Sequence, residues 1–374
     1  MNQKLKSSIF TSALSLLGVG IGLVSCHSGS ANQPGSQDST AASASTSGSG
    51  NGKSLIGAGS TFVYPLFSKM FEAYNQQTGV MVNYQSIGSG GGIKQLQNET
   101  VDFGASDAPM NAGETSKSPG VVLHIPDCLG AVVITYNLPG KPVLKFNSAI
   151  LSGIYLGKIT QWNDKAITAL NPGIKLPNLQ ISVIHRAEAS GTTYIFSDYL
   201  SKVSPVWKVK PGTGKSLDWP VGLGGKGNEG VSGLIQQTPG AIGYVELAYA
   251  LQNSMPAALL LNKSGNFVGP TLASTSAAAN INNMPADLKV SITDTDAPDG
   301  YPICSFSYLL LYQNQSYDNR SEAQGKATVD LAAWIIQGGQ QYSEALEYAK
   351  LPGAVVSKSL DLLKTVTFNN KPLL

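Results

Sequence analysis

Three short runs carry side chains able to hold an anion: Gly57-Ala58-Gly59-Ser60-Thr61-Phe62, Ile87-Gly88-Ser89-Gly90-Gly91-Gly92 and His185-Arg186-Ala187-Glu188-Ala189-Ser190-Gly191-Thr192. Each has a Ser or Thr hydroxyl, and the first two have clustered glycines. Backbone N–H groups and hydroxyls converging from helix ends can enclose a buried tetrahedral oxyanion without a large positive charge. Arg186 adds one full charge on a planar fork suited to two oxygens. Glu188, two residues on, is spaced to orient it and offset its charge. None of the runs reads GxxxxGK[ST], so a nucleotide phosphate loop is not indicated. Any one run is an ordinary helix start; the signal is that there are three.

Asp107 is the odd member, an acid at the end of Val101-Asp102-Phe103-Gly104-Ala105-Ser106-Asp107-Ala108-Pro109. An ionised carboxylate can only accept hydrogen bonds. In an anion pocket it would welcome phosphate, which near neutrality still carries a proton. It would reject sulfate, whose oxygen would face it unpaired.

The elements that must position these residues are legible around them. Residues 54–59 read as a short strand running into the first turn. Leu66, Phe67, Met70, Phe71 and Tyr74 then recur at helical spacing behind Pro65, with Gly79 ending the helix. Val80–Gln85 alternates like a strand, and a short helix is expected over Ile93–Thr100 after the second turn. Ile181–Ile184 reads as a strand, followed by a helix with Ile195, Phe196, Tyr199 and Leu200 on one face. The loop 211–230 reads as a turn-dense surface loop containing Lys226. Trp162, Trp207 and Trp334 read as packing residues.

Lys4 and Lys6 precede an apolar run, Ile9–Val24, too short and too rich in Gly and Ser for a membrane span. The run stops at Leu23-Val24-Ser25-Cys26, which looks like the lipobox of bacterial lipoproteins. Residues 1–25 are therefore expected to be a signal peptide, Cys26 the lipidated residue, and 26–53 a flexible Ser/Gly-rich tether. A chain of that length has an end-to-end distance of about 25–30 Å. The remaining ~320 residues suggest two domains. The chain has 25 Lys and Arg against 23 Asp and Glu, and loss of Lys4 and Lys6 makes the mature form near neutral. That argues against nucleic acid as a partner. Cys128 and Cys304 are left in the folded part, as a disulfide or as two thiols. No CxxC or His/Cys cluster suggests zinc, and no cofactor is expected.

The stretches GAGSTFVYPLF, NYQSIGSGGGIKQL, TVDFGASDAPM, IYLGKITQWND, HRAEASGTTYIFSDYL, WPVGLGGKGNEGV and PGAIGYVELAYA run in unbroken order from about Leu55 to Tyr249. Together they closely resemble the phosphate-binding receptors of bacterial phosphate ABC transporters; ALEYAKLPGAVV extends the likeness more loosely. The resemblance implies an α/β, type II periplasmic-binding-protein fold, with two domains joined by a two-strand hinge and the ligand in the cleft. Residues 54–130 with 305–374 would form one domain and 131–304 the other, the strands Gly130–Tyr136 and Ser305–Leu311 making the crossings. Helices near Ala327–Gln337 and Tyr342–Tyr348 would complete the first domain.

Carried over position by position, the family's phosphate ligands fall on Thr61, the Phe62 backbone N–H, Ser89, Asp107, Arg186, Ser190, Gly191 and Thr192. Glu188 takes the place of the acid partnering the arginine, and Ser60 supports the ligands from behind. His185 reads as a neighbour. The implied protein is an exported, lipid-anchored monomer in the periplasm or on the outer face of a bacterial membrane. It would hand inorganic phosphate to membrane-embedded permease subunits and would not be an enzyme. The competing readings are a receptor for sulfate or molybdate, and a phosphatase using Ser190 or Thr61 as nucleophile. His27 lies in the tether, His124 in an apolar strand, and His185 has no evident nucleophilic partner, so the phosphatase lacks an activating base.

Overall fold

The computed structural model describes residues 52–280 and 284–374; the expected signal peptide, Cys26 and nearly all of the tether lie outside them. Eight strands form one sheet: β1 (Ser54–Gly59), β2 (Met81–Ser86), β3 (Phe103–Ser106), β4 (Val122–Tyr136), β5 (Ser182–Arg186), β6 (Leu223–Gly225), β7 (Ala241–Glu246) and β8 (Cys304–Tyr312). Their order is β2-β1-β3-β8-β4-β7-β5-β6. The β1–β2, β1–β3, β5–β6 and β5–β7 pairs are parallel. Strand β8 is antiparallel to both its neighbours, and β4 is antiparallel to β7. Parallel neighbours need crossover helices, and these supply the helix starts that face one another across the sheet.

Strand β4 joins the two halves. It pairs with β8 as far as Ala131 and with β7 from Val132 onward. It is buried along all 15 residues, eight of them ahead of the apolar run expected from the sequence. Those eight, VLHIPDCL, include His124, Pro126 and Asp127, which hide the strand pattern. The register slips between Ser307 and Tyr308, opposite Cys128 and Pro126, leaving Asp127 as an extra residue in a bulge. A bulge is where a mid-sheet proline is tolerated.

Helix α1 (Tyr64–Thr78) begins with Pro65 in its first turn and ends at Gly79, whose φ of 75° is left-handed and whose N–H bonds the Asn75 carbonyl. Leu66, Phe67, Met70 and Tyr74 on its inner face are buried, each worth about 1.5–3 kcal/mol in removed apolar surface. Helix α2 spans Ser89–Gln97, starting four residues earlier than expected because the glycines belong to its first turn. A Cβ on Gly92 would lie 2.5 Å from the Ala58 carbonyl oxygen and the Gly59 Cα. Gly92 thus lets the helix start press against the end of β1. Helices α3 (Ala112–Thr115), α4 (Gly191–Val203) and α5 (Gly227–Gln237) follow.

Near the C-terminus, Glu322–Ile336 is helical as expected, but Gly338–Tyr342 and Glu344–Leu346 are 3₁₀ turns where an α-helix over 342–348 was expected. The glycines fold the chain back onto the Trp334 ring, and Glu347 at φ 65° stops any continuation. Trp162 and Trp207 are fully buried, and Trp334 packs on Tyr74. Cys128 and Cys304 are buried free thiols, which resolves the alternatives left by the sequence. Among the described residues no helix is long and apolar enough to cross a membrane.

Candidate oxyanion-binding site

The ends of β1, β2, β3 and β5 and the starts of α2, α4 and α5 meet at one buried point. Ser60, Thr61, Phe62, Ser89, Asp107, Arg186, Ser190 and Thr192 are all at most 3% exposed, and Gly191 is buried with them. Residues distant in sequence bond directly: Gly191 N–H donates to Ser89 Oγ at 3.0 Å, and Gly90 N–H to the Ala189 carbonyl at 3.0 Å. Helix α4 can come this close because residue 191 lacks a side chain. A Cβ there would stand 2.5 Å from Asp107 Oδ2 and from Ser89 Oγ.

Three hydroxyls share one electrostatic arrangement. Thr61 Oγ1 accepts from the Asn228 side-chain amide at 2.8 Å and from its backbone N–H at 3.2 Å. Thr192 Oγ1 accepts from Arg186 Nη1 at 3.0 Å and from Asn228 Nδ2 at 3.3 Å. Ser89 Oγ accepts from the N–H groups of Gly191 and Asp107, the latter at 3.3 Å. A hydroxyl has two lone pairs and one proton. With both lone pairs taken, each of these groups can only donate, so the site turns O–H dipoles toward whatever acceptor it holds. The Ser89 proton has Asp107 Oδ2 at 3.4 Å as an acceptor, a long contact.

Arg186 bonds Glu188 Oε1 through Nε and Nη2 and Thr192 through Nη1. Those three bonds leave two of the five N–H donors of a guanidinium for a ligand. Glu188 Oε1 also accepts from Gly227 N–H at 3.0 Å, while its Oε2 has no partner among the described residues. Ser190 caps α4, its Oγ accepting from Thr193 N–H at 3.1 Å. Phe62 N–H donates to Ser60 Oγ at 3.0 Å, and Ser60 donates to Asp107 Oδ1. His185 stacks on Trp219 at 4.7 Å with Nδ1 against the Arg186 carbonyl, outside the cluster.

Asp107 Oδ1 also accepts from Ser307 Oγ at 2.9 Å. Burial raises its pKa from 3.8 to about 6, against the pull of the Ser60 and Ser307 hydroxyls and the Arg186 charge. It is therefore ionised at neutral pH and takes a proton in mild acid.

Two residues of the site escaped the sequence reading. Asn228 sits in the loop read as surface, yet it is fully buried, and its Oδ1 accepts from Glu246 N–H at 3.0 Å. The signal available was a fourth Gly-rich helix start, GGKGN, of the same kind as the other three. Asp127 lies behind Asp107, fully buried, with neither carboxyl oxygen hydrogen-bonded at normal geometry among the described residues. Burial holds its pKa well above 3.8, eased by the neighbouring Cys128 and Ser307.

A raised folded-state pKa means that Asp127 contributes stability below about pH 4, the unfolded carboxylate range. That contribution is lost as pH rises through the folded value. Asp127→Asn is expected to gain about 1–3 kcal/mol over the wild type at pH near 8 and little near pH 4. Urea unfolding at both pH values measures the difference; a gain independent of pH would contradict a buried neutral acid. Glu246, also buried with a raised pKa, acts in the same direction but is common to both proteins.

The profile of the PBP superfamily domain matches residues 39–337. The phosphate-binding protein PstS of Xylella fastidiosa is 44% identical over 310 residues, covering 81% of this chain and 83% of that one. The phosphate-binding protein PstS of Haemophilus influenzae is 42% identical over 316 residues, covering 83% and 93%. Among solved structures, a high affinity periplasmic phosphate-binding protein (PfluDING) with bound phosphate aligns with a TM-score of 0.66. At 19% identity it covers 86% of this chain and 100% of its own, a likeness of fold.

Proposed function

This chain belongs to the PBP superfamily and, within it, to the PstS phosphate-binding proteins, and from that premise we propose that it captures inorganic phosphate outside the cytoplasmic membrane for an ABC importer. The observation that carries the reading is the set of hydroxyls on Thr61, Thr192 and Ser89, each with its lone pairs filled, the protons of Thr61 and Thr192 left to give and that of Ser89 held only by a long contact to Asp107. The phosphate would lie among these, the Ser190 turn and the two remaining N–H groups of Arg186, with the Phe62 and Gly191 N–H groups, here given to Ser60 Oγ and Ser89 Oγ, turning to it. Asp107 would accept the proton that phosphate keeps.

The two domains are residues 54–130 with 305–374, and 131–304. The change of β4's partner at Ala131–Val132 supports that boundary. Ligand drawing on both halves favours the closed arrangement, which the permease subunits would recognise. The chain would act as an exported monomer held to the membrane through lipid on Cys26. A binding role without catalysis is favoured by the histidines of the fold. His185 is stacked on Trp219, and His124 Nε2 accepts from Met110 N–H at 3.0 Å. Neither ring is set against a hydroxyl of the site.

Thermal unfolding with phosphate, sulfate and molybdate tests the reading. Phosphate at a thousandfold excess over Kd should add about 4 kcal/mol to the folded state. No shift with phosphate, or equal shifts with all three anions, would refute it.

Asn228→Ala is expected to weaken phosphate binding by about tenfold or more. The Thr61 and Thr192 lone pairs would open and the Glu246 N–H would lose its acceptor, a cost of about 1–3 kcal/mol. Calorimetric titration reads the loss, and an unchanged Kd would remove Asn228 from the account.

A further inference from the structure

We propose that Lys215 is a positioning residue that latches the two halves of the site together around the bound anion. The proposal rests on the phosphate-receptor reading above, in which ligand holds the halves closed. Lys215 lies between α4 and β6, and its side chain is only 8% exposed. Its ammonium donates to Glu114 Oε2 at 2.8 Å and to the Pro109 carbonyl at 3.3 Å. An ammonium this enclosed must be paired, and both acceptors belong to the β3–α3 segment of the other half.

Each partner is fixed within its own half. Glu114 closes a capping box on α3: its Oε2 accepts from Asn111 N–H at 2.9 Å, and its N–H donates to Asn111 Oδ1 at 2.9 Å. Its carbonyl accepts from Gln97 Nε2 at 2.6 Å. On the other side, the Lys215 carbonyl accepts from Ser190 N–H at 2.9 Å, and Gly214 N–H donates to Ser197 Oγ at 3.1 Å. The Glu114 carboxylate is thus held in place, and the backbone that carries Lys215 is anchored.

The link therefore ties the strand end bearing Asp107 to the helix start bearing Ser190 and Gly191. Other direct bonds cross between the halves: Asn228 to Thr61 and Gly191 to Ser89 within the site, and Gly90 to Ala189, Tyr249 to the Thr61 carbonyl and Tyr348 to Glu246 around it. The Lys215–Glu114 link adds an ion pair to them and uses no group proposed to face the anion. A contact made only when the halves are together stabilises the closed state alone, so it slows release more than it speeds capture.

Stopped-flow phosphate release and calorimetry on the wild type, Lys215→Met, Glu114→Gln and the double variant test this. Each single change should speed release by about tenfold, with the double variant no faster than either. Unfolding of the ligand-free protein should be unchanged. Wild-type release rates in both single variants would overturn the latch. So would a stability loss in ligand-free protein as large as in the phosphate-bound form, because Lys215 would then be only a structural contact. Tight phosphate binding by the wild type with unaltered variants sinks the latch alone. No phosphate binding by folded wild type sinks the functional reading with it.

Discussion

Arg186→Met is expected to weaken phosphate binding more than a hundredfold, since removing one partner from a buried charge pair costs about 3–5 kcal/mol. Arg186 is 3% exposed and is the one full positive charge among the converging donors. Its loss removes two N–H groups from the ligand and takes a donor from Thr192 Oγ1. It also leaves Glu188, already with one unpartnered oxygen, as an unbalanced acid whose main remaining donor is Gly227 N–H. Arg186→Lys should fall between the two, keeping the charge but not the fork. Calorimetric Kd values decide the point. A loss below about tenfold would mean that the guanidinium serves Glu188 and not the anion.

Asp107→Asn is expected to reverse the discrimination between phosphate and sulfate. The amide offers a donor to sulfate and no longer demands a proton from the ligand, so phosphate should lose about 1–3 kcal/mol and sulfate should begin to bind. The wild type should show the same change with pH. With the Asp107 pKa raised to about 6, the carboxyl is an acceptor above that value and gains a proton to donate below it. Sulfate exclusion should therefore weaken as pH falls through about 6, while the Asn variant shows no such step. Sulfate titrations of both proteins at about pH 8 and about pH 5 read it out. Equal exclusion at both pH values in the wild type would mean that another group rejects sulfate.

Much of the site was legible because it is local. Helix α1 announced itself through Pro65, its apolar spacing and Gly79, and the Arg186–Glu188 pair through its separation of two residues. The elements that hold these groups together were less visible, because they depend on contacts between distant residues. Asn228 meets Thr61 across 167 positions, and Ser307 meets Asp107 across 200. Nothing near Ser307 marks it as a partner, and Asn228 carries only the weak signal of its Gly-rich helix start. The glycines 90–92 were read as turn formers from composition. Their reason is steric: a Cβ on Gly90 would strike Ala189, one on Gly91 the Ile87 side chain, and one on Gly92 the end of β1. Asp127 was passed over inside β4 for a related reason: a bulge leaves no periodic trace, and an acid within an apolar strand reads as an interruption. Ser190 was expected as a ligand; its Oγ also caps α4, accepting from Thr193 N–H as a Ser before a helix commonly does, which keeps its proton available to donate.

The central claim is that this site holds phosphate and refuses a fully deprotonated anion of the same shape. Calorimetric titration of the ligand-stripped protein at about pH 8, first with phosphate and then with sulfate, tests it most directly. The account predicts saturable heat with one phosphate per chain and no heat from sulfate. A folded sample that gives no phosphate heat, or that takes sulfate equally well, would contradict it.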